Sequence, residues 1–173
     1  MVFVLAKGCK FIRIWGRGPP SGVVAYTEGW ALYAEQLGKE IGFYQDPVSD
    51  YGRLNSELFR AVRLVVDTGI HDKGWTRDQV IAYMHANDVN DVLAQSETDR
   101  YIAWPGQALG YKIGQLTILQ LRAKAEKELG PKFDIRGFHD TVIDSGALPM
   151  DLLEERVNAW IAQVKAGGTA KGQ

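Results

Sequence analysis

Tyr26-Thr27-Glu28-Gly29-Trp30-Ala31-Leu32-Tyr33-Ala34-Glu35 sets two carboxylates among aromatic and small apolar residues. Ser21 and Gly22 can begin the segment, and Ala31, Leu32, Ala34 and Leu37 follow helical spacing. Glu28 and Glu35 then lie about two turns apart on nearly the same face, so both can look inward together. A carboxylate in such surroundings calls for a cation.

Outward from this segment the chain reads as helices separated by short breaks. A first helix is expected from Val23 to Ile41, stopped by Gly42. Asp46-Pro47-Val48-Ser49-Asp50 supplies a turn and a cap for a second, over Tyr51 to Thr68. In that second helix Leu54, Leu58, Ala61, Val62, Val65 and Val66 form one wide apolar stripe, with Arg53, Arg60, Arg63 and Asp67 on other faces. Thr76 caps a short helix through Met84, and Ser96 stands near the start of another through Trp104. Pro105 opens a long helix that runs to Leu129 and stops at Gly130-Pro131. Gly106 and Gly110 bare one of its faces for close approach of a helix or a ligand. Helices over Ile135 to Ser145 and Pro149 to Val164 complete an all-α, multi-helix bundle with no repeat.

Three regions follow: an atypical N-terminus over 1–21, a helical body over 22–164 and a flexible tail over 165–173. In the first, Phe11-Ile12-Arg13-Ile14-Trp15 reads as a short strand broken at once by Gly16-Arg17-Gly18-Pro19-Pro20, and this region is expected to be poorly ordered. It is either an aberrant start or a variant N-terminus.

Composition bounds the function. The chain has 173 residues, 46% hydrophobic and 24% charged, as a folded single domain requires. A net charge of −1 with no Lys/Arg stripe argues against a nucleic-acid partner. No segment has the length of a membrane span, and the apolar stretch at Met1–Ala6 is too short for a signal-peptide core. Localisation is left open between cytoplasm and export. The lone Cys9 forms no internal disulfide.

Asp67-Thr68-Gly69-Ile70-His71, Gly74-Trp75-Thr76, Arg100 through Gly114 (RYIAWPGQALGYKIG) and Phe133-Asp134-Ile135-Arg136 resemble, in order and spacing over residues 22 to 160, the C-terminal part of the bacterial "domain of unknown function 885" family. That family resembles the glutamate-type zinc metallopeptidases, in which one helix gives two His ligands and a general-base Glu and a later helix gives a Glu ligand. The resemblance implies the C-terminal portion of a zincin-like fold, with Glu28 as the zinc ligand of the complete enzyme. Zinc there keeps an open position for the attacking water. The upstream His-Glu segment has no counterpart here. His71, His85 and His139 are the three histidines, none paired at i, i+4.

By the same resemblance Tyr111 is the donor to a tetrahedral oxyanion, the alternative being a buried Tyr packed beside a small-residue helix contact, and His71 faces the substrate or shares that role, or else caps the end of its helix. Arg100 or Lys112 receives a substrate carboxylate. Glu35 is a supporting carboxylate or the partner of a buried Arg, and His85 and His139 are surface or structural residues. The expectation is a peptide-hydrolysing zinc enzyme's C-terminal fragment, inactive alone and binding zinc weakly. The alternatives are a non-catalytic helical peptide-binding domain and a nonfunctional truncated gene product. An apolar groove beside Trp30, Tyr33 and the Gly106/Gly110 face would drive self-association, unless Phe11, Ile12, Ile14 and Trp15 cover it.

Overall fold

The computed structural model describes residues 23–167. The strand at Phe11–Trp15, the atypical start and the end of the tail lie outside the described residues, as does any cover they would provide. Seven α-helices follow one another: α1 (Val24–Glu40), α2 (Pro47–His71), α3 (Arg77–His85), α4 (Asp91–Ala103), α5 (Leu109–Leu129), α6 (Ile135–Ile143) and α7 (Met150–Lys165), with a short 3-10 turn at Gly130–Lys132. The bundle is all-α.

Local chemistry sets the boundaries. The Asp46 carboxylate accepts the Ser49 amide and Pro47 occupies the first turn, so α2 starts at Pro47 and not at Tyr51. Thr76 and Gln79 form a reciprocal capping box on α3. Asn90 caps α4, so the helix starts at Asp91, ahead of Ser96, whose hydroxyl donates back to the Val92 carbonyl in mid-helix. Gly106 takes a φ of 78°, a left-handed turn, so α5 begins at Leu109 and not at Pro105.

The tightest junction joins α1 to α5. A Cβ on Gly114 would press on the Ala25 carbonyl and stand 2.8 Å from the Gly29 Cα, and one on Gly110 would stand 2.8 Å from the Val24 Cγ1. The bare face is therefore Gly110/Gly114 opposite Gly29, and α1 itself fills it. The two helices run the same way, since the start of α5 meets Val24 and, further along, Arg122 reaches Tyr33 and Glu40.

Behind α1, helices α6 and α7 close a core containing Ile118, Leu121, Phe138, Leu153, Val157 and Trp160. The Tyr26 hydroxyl donates to the Val142 carbonyl at 2.6 Å, deep in this core. Tyr33 is fully buried and Trp30 packs on it and on His139. An open groove at Tyr33 and Gly110 is thus ruled out at that place. A second core, built from Val62, Val66, Val80, Met84, Ala94 and Tyr101, joins α2 to α3 and α4.

Helix α2 reverses part of its apolar stripe. Leu54, Leu58 and Val65 are 51%, 44% and 38% exposed, whereas Arg63 and Asp67 are only 8% and 2% exposed. Both buried polar residues are hydrogen-bonded, and their partners on α4 and in the α4–α5 turn fix the rotation of the helix.

Candidate functional site

Glu28 and Glu35 leave α1 on the side away from the glycine seam. Glu35 lies in the field of Arg60, Arg53 and Glu57, all on α2, which places this face of α1 toward α2. Burial raises the Glu35 carboxyl above its ordinary range, against the opposing pull of Arg60 and Arg53. Among the described residues neither Glu28 nor Glu35 makes a hydrogen bond or an ion pair, although both are half-buried.

One turn along α2 from Arg60 lies a charged network. Arg63 donates through Nε to the Tyr101 hydroxyl at 3.0 Å and through Nη2 to Glu97 at 2.9 Å. Its guanidinium also lies 4.5 Å from the Phe59 ring centroid and 4.8 Å from that of Tyr111. Burial works to raise the Glu97 carboxyl, but hydrogen bonds from Arg100 and Tyr101 and the charge of Arg63 outweigh it and hold the group at about 2. Burial, and the hydrogen bond it gives Glu97, raise the Tyr101 phenol.

Each residue singled out from sequence has a definite place. Tyr111 stands one residue beyond Gly110, where α5 meets α1 one turn before Glu28, so the two belong to the same end of the α1–α5 pair. Lys112 is engaged: its ammonium donates to Glu57 at 2.7 Å and to Gln115 at 2.8 Å. Arg100 is engaged too, by both Glu97 oxygens and by Gln107 at 2.6 Å, and Glu97 raises its pKa. His71 is exposed at the end of α2 and donates from Nε2 to the Tyr101 carbonyl at 3.0 Å. No hydrogen bond or ring contact among the described residues joins it to Glu28 or Tyr111.

The stretch Asp67–His71 works as a clamp. Asp67 accepts the Gly106 amide at 3.2 Å, Gly69 leaves room for the Trp75 ring 2.6 Å from where a Cβ would stand, and His71 holds the end of α4. His85 is exposed, 3.1 Å from Asp91. His139 is half-buried, 2.8 Å from the Tyr33 hydroxyl, and burial with the nearby Arg122 charge lowers its pKa to about 4. Of the surface and structural roles expected for it, it takes the structural one.

Among the described residues no three His, Cys, Asp or Glu side chains gather as a metal would require. Zinc needs three protein ligands, and Glu28 stands without a second donor. The donor set within this part of the fold does not by itself fit the ion. Sequence reasoning missed Arg60. Its guanidinium lies 6.0 Å from the Tyr111 ring centroid, and its Nε is buried without an acceptor among the described residues.

The family described as "Bacterial protein of unknown function (DUF885)" matches residues 18–157. The chain belongs to the DUF885 family. A solved structure, "the putative lipoprotein from Colwellia psychrerythraea", is 56% identical with a TM-score of 0.79, over 81% of this chain and 24% of that one. A second, "a putative lipoprotein of unknown function from Shewanella oneidensis", is 26% identical with a TM-score of 0.71, over 76% of this chain and 24% of its own. This DUF885 chain therefore spans about a quarter of the length of the solved relatives it matches. No curated protein matches it. None of its described helices is long and apolar enough to cross a membrane.

Proposed function

We propose that this DUF885 chain is the C-terminal part of a zinc-dependent peptidase and supplies one wall of its site, without hydrolysing peptides alone. The observation that carries this reading is Glu28: a half-buried carboxylate, without a partner among the described residues, held on a helix locked from behind. Nothing in the packing of α1 calls for an acid there. Glu28 is the carboxylate ligand, Tyr111 the oxyanion donor, and His71 acts on the substrate side beside the end of α4 that it braces. The two His ligands and the general-base Glu come from the part of the fold that the longer relatives have and this chain does not match.

The exposed apolar residues of α2, Tyr51, Leu54, Leu58 and Val65, support an accompanying reading in which this face associates, with a second copy or with the rest of the fold. Sedimentation of the chain alone across a concentration series reads out the self-association, and a monomer at every concentration would count against a second copy on this face.

The experiment has two arms. Calorimetric titration of the chain with zinc should give no tight one-to-one site, and sub-micromolar binding abolished by Glu28→Gln would overturn the division of ligands. A chimera joining the unmatched part of the Colwellia relative to this chain should hydrolyse peptides in a zinc-dependent manner and lose at least about a hundredfold in rate on Glu28→Gln. A folded, zinc-loaded chimera indifferent to that substitution would remove the assignment.

A further inference from the structure

The arginines around the α1, α2 and α5 junction divide into two kinds. Arg53 pairs with Asp50 and Glu57, Arg63 with Glu97, and Arg122 with Glu40 and Glu126. Arg60 has no ion pair among the described residues. Its Nη1 donates only to the carbonyl and hydroxyl of Ser56, one turn back on its own helix. Its Nε is shut off from solvent and has no acceptor among the described residues. A buried guanidinium N–H left unmet costs stability and calls for an explanation, and a ligand that completes it is one.

The geometry around it suits an anion. Phe59 and Tyr111 lie 5.8 and 6.0 Å from the Arg60 guanidinium carbon, so two rings flank the fork, while the side chain remains only half-buried and reachable. Glu35 feels the charge of Arg60 but makes no hydrogen bond to it among the described residues, and burial disfavours its ionised form. A guanidinium suits a carboxylate, and Nη2, which has no partner among the described residues and is not enclosed as Nε is, is the group through which one reaches the fork. Lys112 and Arg100, the cations that sequence alone suggested for this task, are already occupied by Glu57 and Glu97.

We propose that Arg60, beside Tyr111, is the subsite that receives a carboxylate of the peptide substrate. This rests on the peptidase reading for the nature of the ligand, and it makes the substrate class a peptide bound through its own carboxylate. Arg60 is a binding residue and not a participant in bond cleavage.

The test uses the full chain in the presence of a chelator, so zinc chemistry plays no part. An N-acetyl dipeptide with a free C-terminal carboxylate and the same dipeptide as its amide are titrated against it and followed by amide chemical shifts. The acid should bind about tenfold more tightly than the amide, with the largest shifts at Arg60 and Tyr111. Arg60→Gln should erase that difference, Arg60→Lys should keep part of it, and Lys112→Gln should leave it unchanged. Glu35→Gln should strengthen acid binding. If acid and amide bind alike, if neither binds, or if the preference survives Arg60→Gln, the proposal is overturned. It is overturned equally if Glu35→Gln unfolds the chain, because Glu35 would then be the partner of Arg60. Should Arg60→Gln fail to fold, the Arg60→Lys and Lys112→Gln pair decides. Failure here leaves the zinc-dependent hydrolysis of the chimera untouched, so the two readings fail separately.

Discussion

The two sides of α1 are built on opposite principles. Toward α5 the helix is bare: Gly29 meets Gly114 backbone to backbone, and a single added methyl has nowhere to go. Toward α2 it carries Glu28 and Glu35, half-buried and without partners among the described residues. The contrast teaches that the rigid side serves the unsatisfied one. Unpaired acids would swing to solvent or recruit a cation on a loosely held helix, and here the helix is pinned by a glycine seam and by Tyr26 and Tyr33 in the core behind it.

The hardest blow to this contrast falls on the seam. Gly114→Val should cost at least about 3 kcal/mol, because the obstacle is the Ala25 backbone and not a side chain that can turn aside. That is a large share of a typical stability of about 5–15 kcal/mol, and urea melts would read it directly. A variant within about 1 kcal/mol of wild type would mean that α1 can slide, and the rigid-side argument would fall.

Next comes the charged network that ties α2 to α4. Glu97→Gln strips the counter-charge from Arg63 and Arg100 together, leaving a largely buried guanidinium, and should cost about 2–4 kcal/mol. An unchanged melting temperature would show that the network is dispensable to the fold.

Acid should act through the core behind α1. His139 titrates near 6.5 when unfolded and at about 4 when folded, so between these values the unfolded chain binds the extra proton. The contribution is therefore complete above pH 6.5 and lost as pH falls toward 4. Discounted for the half-exposed ring it is on the order of 1–2 kcal/mol. Glu97, depressed to about 2 from an ordinary 4.5, adds a second loss below pH 4.5. His139→Phe should flatten the upper limb alone, and a stability profile level from pH 7 to 4 in the wild type would contradict the buried, neutral imidazole.

The smallest effect belongs to the acids themselves. Glu28→Gln should shift stability by no more than about 0.5 kcal/mol, since no partner among the described residues is lost. A loss of several times that would make Glu28 a structural residue and remove the contrast between the two sides.

The fold class and the order of helices were legible because caps and breakers are local chemistry. Asp46-Pro47, Thr76 with Gln79 and Gly130-Pro131 each mark an end by what a few neighbouring residues can do. The rotation of α2 was not legible. Leu54, Leu58 and Val65 belong to an apolar stripe by periodicity, yet they face outward because the buried Arg63 and Asp67 find partners on distant elements. Periodicity records apolar content and cannot record a polar network that closes across more than thirty positions, as Arg63 to Glu97 does. The glycine seam was legible as small residues on α5 but misplaced by one turn, since only the left-handed Gly106 shows where α5 begins. Around the site, Lys112 and Arg100 looked available because sequence does not reveal ion pairs. Arg60 was passed over for the same reason.

The parallel course of α1 and α5 carries a kinetic consequence. Their contacts join residues far apart along the chain, with Arg122 reaching Tyr33 across 89 positions and Glu40 across 82. The α3–α4 pairing needs only 22, from Arg77 to Asp99. Loop closure of the longer kind is entropically dearer and slows the search, so the α2–α4 unit is positioned to collapse first and the seam to zip last. Until it does, the helix bearing Glu28 has no fixed seat, and the nascent chain exposes its acids before it owns a cleft.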